Sequence, residues 1–254
     1  MKRLLIGMGL VFGTPALSVA QGGGNSSLAQ AVMEGIGSFT LSDAQVAAYS
    51  RQAVQQMDTQ NPVADPGDPY ARRMDRIVRR HRTVSGIPIN YKVYKVAGVN
   101  AFATADGSVR VFKGLMDVMT DGELLAIMGH EIGHVVNRDT RDAMKSGLRR
   151  SALRNAVGSQ SGAVGRLSRS QIGSVVDYIA GASFSRKQET EADDYSYGFL
   201  RRNGYSVMAL ATSFEKLAKL GGSGNSLTFL SSHPDSRARA GRVRARARRD
   251  GLSR

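Results

Sequence analysis

His130, Glu131, Ile132, Gly133 and His134 put two imidazoles and a carboxylate into one short stretch of chain, and no other feature limits the possible folds so tightly. In a helix, residues four apart share a face, so His130 and His134 can grip one metal ion while Glu131 points toward the next coordination position. The flanks specify that helix. Thr120 and Glu123 are spaced as a capping box, and Leu125, Met128, Ile132, Val135 and Val136 follow at helical spacing. The two histidines are therefore carried into the interior, where buried imidazoles need partners, and a metal accounts for a pair one turn apart better than a core hydrogen-bond network does.

A catalytic zinc commonly keeps three protein ligands and one open position, so a third donor has to come from elsewhere. The chain has no cysteine and only four histidines, His81, His130, His134 and His233, which leaves histidine and carboxylate as ligands and removes thiolate sites and cysteine-protease chemistry. The acidic run from Glu189 to Asp194 is the best supply, and Glu189 and Glu191 compete for the role. Glu189 is favoured because Asp193 lies one turn further on its own face, so one carboxylate can bind metal while the other accepts the free N–H of a ligand histidine. Glu191 has Tyr195 at that place. An acidic helix start stabilised by the helix dipole explains the charge but not the pairing.

The rest of the pattern is mainly helical with one small sheet. Residues 28–57 read as an amphipathic helix with a start at Ser42 or Asp43, and residues 70–82 as a basic helix with His81 as a charge at its end. Short runs at 89–96, 101–104 and 109–112, rich in Val, Tyr and Phe, predict three strands, the last two joined by a hairpin at Asp106 and Gly107. Residues 139–185 predict two helices around a joint near 158–165. Ser185 and Gln188 form a second capping box, opening a helix that ends at Asn203 and Gly204. A helix capped by Ser206, a loop through His233 and Pro234, and an arginine-rich helix complete the chain.

Length and charge add the setting. At 254 residues with 41% hydrophobic content the chain can bury a substantial core as one large or two small domains. Residues 1–20 carry Lys2 and Arg3, an apolar run and a small-residue ending at Ala20, which predicts a cleavable export signal; residues 21–69 read as linker and helical segment, and 70–254 as the main domain. No later segment predicts a membrane span. The formal charge is +14, and eight arginines lie between Arg237 and Arg254 against one acid, Asp250. A solvated basic helix explains them, and attachment to an anionic envelope surface or an acidic partner is the alternative; nucleic acid is not expected as a partner, since the chain reads as exported and has neither a recognisable binding motif nor tryptophan.

Taken in order, the His130–His134 motif, the Ser185, Arg186, Glu189, Glu191, Ala192 and Asp193 run, and His233 with Pro234 resemble the HtpX, LoiP and BepA type of zinc metallopeptidase, among the CAAX prenyl endopeptidases. The LoiP-like periplasmic branch is the nearest part of that family. The Val99–Ala103 stretch and Gly114, Leu115 and Met116 resemble the family's strand before the active helix. The resemblance covers roughly residues 70–245. It implies a zincin-like α+β domain whose small sheet packs on the metal-binding helix, with Zn2+ held by His130, His134 and Glu189 and with Asp193 behind them. It also implies a peptide-binding edge strand at Asn100, Ala101, Phe102 and Ala103, and a histidine, His233, that can approach the metal. The chain departs from the pattern where LoiP-like members carry a lipid on cysteine, and where many relatives have a further histidine near Asn137, Arg138 and Asp139.

The expected chemistry is hydrolysis of polypeptides, unfolded or misassembled envelope proteins by resemblance, with Glu131 as general base and His233, Arg237 or Arg239 as donor to the oxyanion. His233 could instead fill the fourth metal position in the resting state, or be a surface loop residue. A zinc-stabilised periplasmic chaperone or scaffold with little or no proteolysis is the alternative function.

Overall fold

The computed structural model describes residues 41–156, 181–222 and 228–253, together with 173, 175, 176 and 179. The export signal expected at 1–20, the linker at 21–27, the first residues of the 28–57 helix and the joint near 158–165 lie outside the described residues. The described residues all belong to one unit, Phe39–Arg254.

Local signals set the helix starts. Ser42 and Gln45 form a capping box at the head of α1 (Asp43–Gln60), and Asp68 caps α2 (Pro69–Val78), where proline occupies the first turn. α2 stops four residues short of the predicted Arg82 because the chain turns His81 inward. That ring is 4% exposed, stands 3.0 Å from the Tyr205 hydroxyl and packs edge-on against Phe199. Burial, helped by the charge of Arg80, pushes its pKa down, so His81 is a neutral core group and not a helix-end charge.

A short hairpin, β1 (Thr83–Val84) and β2 (Ile87–Pro88), leads into a three-stranded sheet of β3 (Asn90–Tyr94), β4 (Ala101–Ala103) and β5 (Ser108–Phe112). β5 is central, antiparallel to β4 through the predicted hairpin and parallel to β3. Gly107 closes the hairpin at φ 82, and a side chain there would run into the carbonyl of Pro88. The outer edge of β3 is covered at Val63, with the Ala64 N–H donating to Val93 at 2.9 Å and the Lys95 N–H donating to Pro62 at 2.7 Å. β4 has no strand partner on its outer side among the described residues.

Arg110, in the middle of β5 and only 2% exposed, donates from Nε and Nη2 to the two oxygens of Asp58 at 2.8 and 3.0 Å. Lys92 and the Tyr94 hydroxyl donate to the same carboxylate. Desolvation works against the Asp58 charge, but these bonds outweigh it and hold the carboxyl below its ordinary range. One end of α1 is thereby tied to the sheet. Its other side packs Leu41, Val46 and Ala53 against Met144 and Leu148, in a cluster separate from the main core.

After β5 come α3 (Lys113–Val118), α4 (Asp121–Val136), α5 (Asp139–Ala156), α6 (Arg186–Arg202), α7 (Met208–Gly222), α8 (Thr228–Ser232) and α9 (Ser236–Arg249). Both predicted capping boxes form, at Thr120 and Ser185. α4 runs through the middle, in contact with β4, α6 and α7, and Leu124, Ile127, Met128 and Ile132 are almost wholly withdrawn from water. Each such side chain contributes about 1.5–3 kcal/mol by burial. α6 can lie close along α4 because Gly129 and Gly133 present no side chain to it. The fold is thus mainly helical α+β with a small sheet against the helix of the histidines. No described helix is long and apolar enough to cross a membrane. The short helix α8, just before His233, has no signal in the sequence pattern, which predicts only a loop.

Candidate metal centre

Four side chains from two helices and a turn meet at α4. One helical turn separates His130 from His134, and their Nε2 atoms stand 3.2 Å apart. Glu189, in the first turn of α6, brings Oε1 to 3.4 Å from His134 Nε2 and Oε2 to 3.6 Å from His130 Nε2. α8 ends at Ser232, and the left-handed Asp235 (φ 64) opens α9, so His233 in the turn between them points Nδ1 to 2.8 Å from Glu189 Oε1 and 3.2 Å from His130 Nε2. All four residues are buried, and one donor atom from each lies within 4.8 Å of the others.

These spacings fit a cation. Donors about 2.0–2.1 Å from a tetrahedral dication stand about 3.3 Å from one another, close to the separations found here. The proton assignment leads to the same result. His134 Nδ1 is 2.9 Å from Asp139 Oδ2, so that ring donates outward and turns its Nε2 lone pair inward, while His130 Nδ1 lies between Asp193 Oδ1 at 3.0 Å and the donating Nη2 of Arg239 at 3.1 Å. The inward lone pair of His134 and the Glu189 Oε1 facing it need a proton or a metal between them, since the Arg239 guanidinium lies on the Oε2 side.

The electrostatics are divided accordingly. Burial, with the Arg239 charge beside it, drives the His130 pKa well below its ordinary value. Burial acts in the same direction on His134, but its bonds to Asp139 and Glu189 win and raise it to about 9. Desolvation opposes the Glu189 charge, yet the bonds from His134 and His233 hold that carboxyl far below the carboxylate range. Glu131, by contrast, is pushed up by burial. A dication held by these residues would supply the positive charge that the raised His134 pKa otherwise draws from a proton.

The cluster opens onto a cavity of about 190 Å³ lined by Asn100, Ala101, Phe102 and Ala103 together with Glu131 and His233, with Met57, Met144 and Phe184 among its apolar walls. Glu131 Oε1 is buried without a hydrogen-bond partner among the described residues, 3.4 Å from His233 Nε2. Glu191, the competitor for the third position, is exposed beside Lys187 and away from the cluster. Arg237 is exposed, and Arg239 is buried against Glu189 and Asp193, outside the lining of the cavity. His233 is buried, stacked on Phe229, which removes it from the class of surface loop residues.

A family model described as peptidase family M48 matches residues 70–247. The chain belongs to peptidase family M48. Along nearly its whole length it is similar to metalloprotease LoiP of Escherichia coli strain K12, with 42% identity over 252 residues, 99% of this chain and 98% of that protein. Metalloprotease YcaL of the same organism is 40% identical over 220 residues, 85% of this chain and 86% of YcaL. The beta-barrel assembly-enhancing protease of that organism is 30% identical over 138 residues, covering 51% of this chain and 28% of the relative. As a member of M48 the chain is a metalloendopeptidase with a zincin-like domain, and polypeptides are its substrate class.

One member of this M48 site was missed in the sequence. Asp139 carries the second outer partner, and Gln188 Nε2 donates to its other oxygen at 3.0 Å. The sequence carries a signal for it: two histidines expected to bind metal call for two outer acceptors, and the reading of the acidic run supplies one, Asp193. Arg138 (φ 69) ends α4 in the left-handed region and turns the next residue back toward His134, a step that helical periodicity does not predict.

Proposed function

We propose that this M48 member is an exported, zinc-dependent endopeptidase of unfolded or misassembled envelope proteins, with His130, His134 and Glu189 as ligands and Glu131 as general base. The observation that carries this reading is the position of Glu131. Its carboxylate is buried, has an oxygen without a hydrogen-bond partner among the described residues, lines the cleft and belongs to the same helical turn as the two histidines.

Zinc, when bound, would supply Lewis-acid polarisation of the scissile carbonyl and acidify the attacking water. This chain's own residues do the rest. A substrate strand lying along β4 pairs with its open edge through main-chain hydrogen bonds, so recognition depends weakly on side chains and favours unfolded chains. Glu131 takes the water proton and delivers it to the leaving nitrogen; the raised pKa produced by burial suits a group that must hold that proton between the two steps. Asp193 and Asp139 fix the ring orientation of His130 and His134. His233, within reach of both Glu131 and the ligand cluster, is placed to donate to the oxyanion.

Support for envelope substrates comes from the signal-like residues 1–20 and from a relative named for β-barrel assembly. The arginine-rich end supports attachment to an anionic surface less strongly than its composition suggests. Arg239, Arg242, Arg244 and Arg246 face Asp193, Glu215 and Asp194 within the fold, and Arg237, Arg248 and Arg249 are the exposed ones without an ion-pair partner among the described residues.

The test is Glu131→Gln in zinc-loaded protein acting on reduced, carboxymethylated α-lactalbumin. Zinc should remain at one equivalent and cleavage should fall by at least about 100-fold, the lower range of what a general base contributes. Cleavage persisting in the variant at the wild-type rate would refute Glu131 as the base.

A further inference from the structure

Arg239 is among the largest fully buried side chains, 1% exposed, although it belongs to the most basic helix of the chain. Its Nε and Nη2 hold the two oxygens of Asp193 at 3.0 and 2.6 Å, and its guanidinium lies over the Phe214 ring, 4.0 Å from the centroid. Nη1 stands 2.6 Å from Glu189 Oε2, although off the axis of a hydrogen bond. The other oxygen of Glu189, Oε1, faces His134 and His233 at 3.4 and 2.8 Å. Oε1 thus faces the cluster, while Oε2, though 3.6 Å from His130 Nε2, stands a full ångström nearer the fixed guanidinium.

The geometry points to Arg239 as a positioning residue that restricts Glu189 to one metal-facing oxygen. This rests on the reading of Glu189 as a ligand and deepens it. A carboxylate beside a dication is free to offer both oxygens, and binding through both would fill the position that water and the substrate carbonyl need. A cation held at Oε2 opposes that second bond. Packing keeps the cation there: the grip on Asp193 and the aromatic face beneath leave the guanidinium no other place to go. Arg239 also offsets charge where Glu131, Asp139, Glu189 and Asp193 are all buried around one site. Arg242, the other arginine at Asp193, is half exposed and 3.4 Å away, and it is not paired with Glu189.

The experiment uses the full chain loaded with one equivalent of zinc or of cobalt(II), whose visible absorption is strong at low coordination number and weak when the shell expands. X-ray absorption of the wild-type zinc protein should show a four-coordinate shell with a single carboxylate oxygen. Arg239→Gln should still take up cobalt(II) yet lose most of the visible intensity, as Glu189 turns both oxygens to the metal. Asp193→Asn keeps one acceptor oxygen for Arg239 above the unchanged Phe214 ring, so Arg239 stays on Glu189; the variant should weaken uptake about 10- to 100-fold, as loss of an outer partner does, while keeping the wild-type spectrum.

Two carboxylate oxygens on wild-type zinc would overturn the inference even if Arg239→Gln did not fold. So would a wild-type spectrum in Arg239→Gln, or the same spectral loss in Asp193→Asn, which would make Arg239 act through Asp193 alone. A wild-type chain that takes up no metal sinks the zinc reading itself, and this inference with it.

Discussion

Gly133, inside the metal motif, is where packing and chemistry are most tightly linked. Replacing it with alanine at an interior helix position should by itself stabilise the protein by about 0.4–1 kcal/mol through reduced freedom of the unfolded chain. In this fold the new Cβ would lie 3.0 Å from the Ala192 Cα, 3.1 Å from the Ala192 carbonyl oxygen and 3.2 Å from the Tyr195 Cβ. Comfortable carbon contacts begin near 3.5 Å, so α6 must retreat from α4 by roughly half an ångström. Two of the three atoms are backbone, and none is the free end of a flexible side chain. Overpacking of this kind costs about 1–3 kcal/mol, so the net change in Gly133→Ala is a loss of about 1–2 kcal/mol.

The displacement matters more for the site than for stability, because α4 carries His130 and His134 while α6 carries Glu189 and Asp193. A constellation of this kind tolerates about 0.5 Å of error, so metal affinity should fall along with stability. Urea denaturation of metal-free protein isolates the packing loss, and competition with a chromophoric chelator measures affinity. Gly122→Ala is the internal control: its Cβ would meet nothing closer than the Ala209 Cβ at 3.7 Å, so it should gain stability and leave affinity unchanged. Equal or greater stability in Gly133→Ala with undiminished metal affinity would refute the close-approach argument.

Other consequences follow from single contacts. Asp139→Ala removes the acceptor of the His134 N–H and should lower metal affinity about 10- to 100-fold, read by the same competition; an unchanged affinity would show that His134 is oriented by something else. Asp58→Ala leaves Arg110 buried without its partner and should destabilise by about 3–5 kcal/mol in urea denaturation, whereas Asp58→Ala with Arg110→Met should recover much of that. Because the folded Asp58 pKa is depressed, its contribution is fully present above the unfolded value near 3.9 and is lost as pH falls from there through the lower folded value; the acid limb of the stability profile should be shallower in Asp58→Ala. The folded pKa of His81 is also depressed, so its unfolded form takes up a proton first. Stability attributable to neutral His81 should be intact above about pH 6.5 and decline below it by up to about 1.4 kcal/mol per pH unit, a slope that His81→Gln should remove.

What could be read from the chain follows how far apart the interacting residues are. The boxes at Thr120 and Ser185 join residues three apart, the histidines of α4 are four apart, and the β4–β5 hairpin closes over a few residues at Gly107. Helical and strand periodicity, which are also local, gave the mainly helical fold with its small sheet. The four-residue relation to Asp193 favours Glu189 over Glu191, and the fold has Glu189 buried in the cluster and Glu191 in solvent.

Only the tertiary structure decided the relations that span the chain. His233 and Glu189 are 44 residues apart and Arg239 and His130 are 109 apart, and whether these meet depends on how α6, α8 and α9 pack around α4. The same packing makes His81 neutral, moves Arg239 from the basic surface into the metal site, and puts β3 parallel to β5 although β4 lies between them in sequence. The sequence by itself determined a metallopeptidase half-site on a capped, buried helix, since that chemistry is written into one helical turn. Partners, protonation and oxygen choice at the site were left to tertiary structure, because burial and long-range contacts set them and neither has a local period.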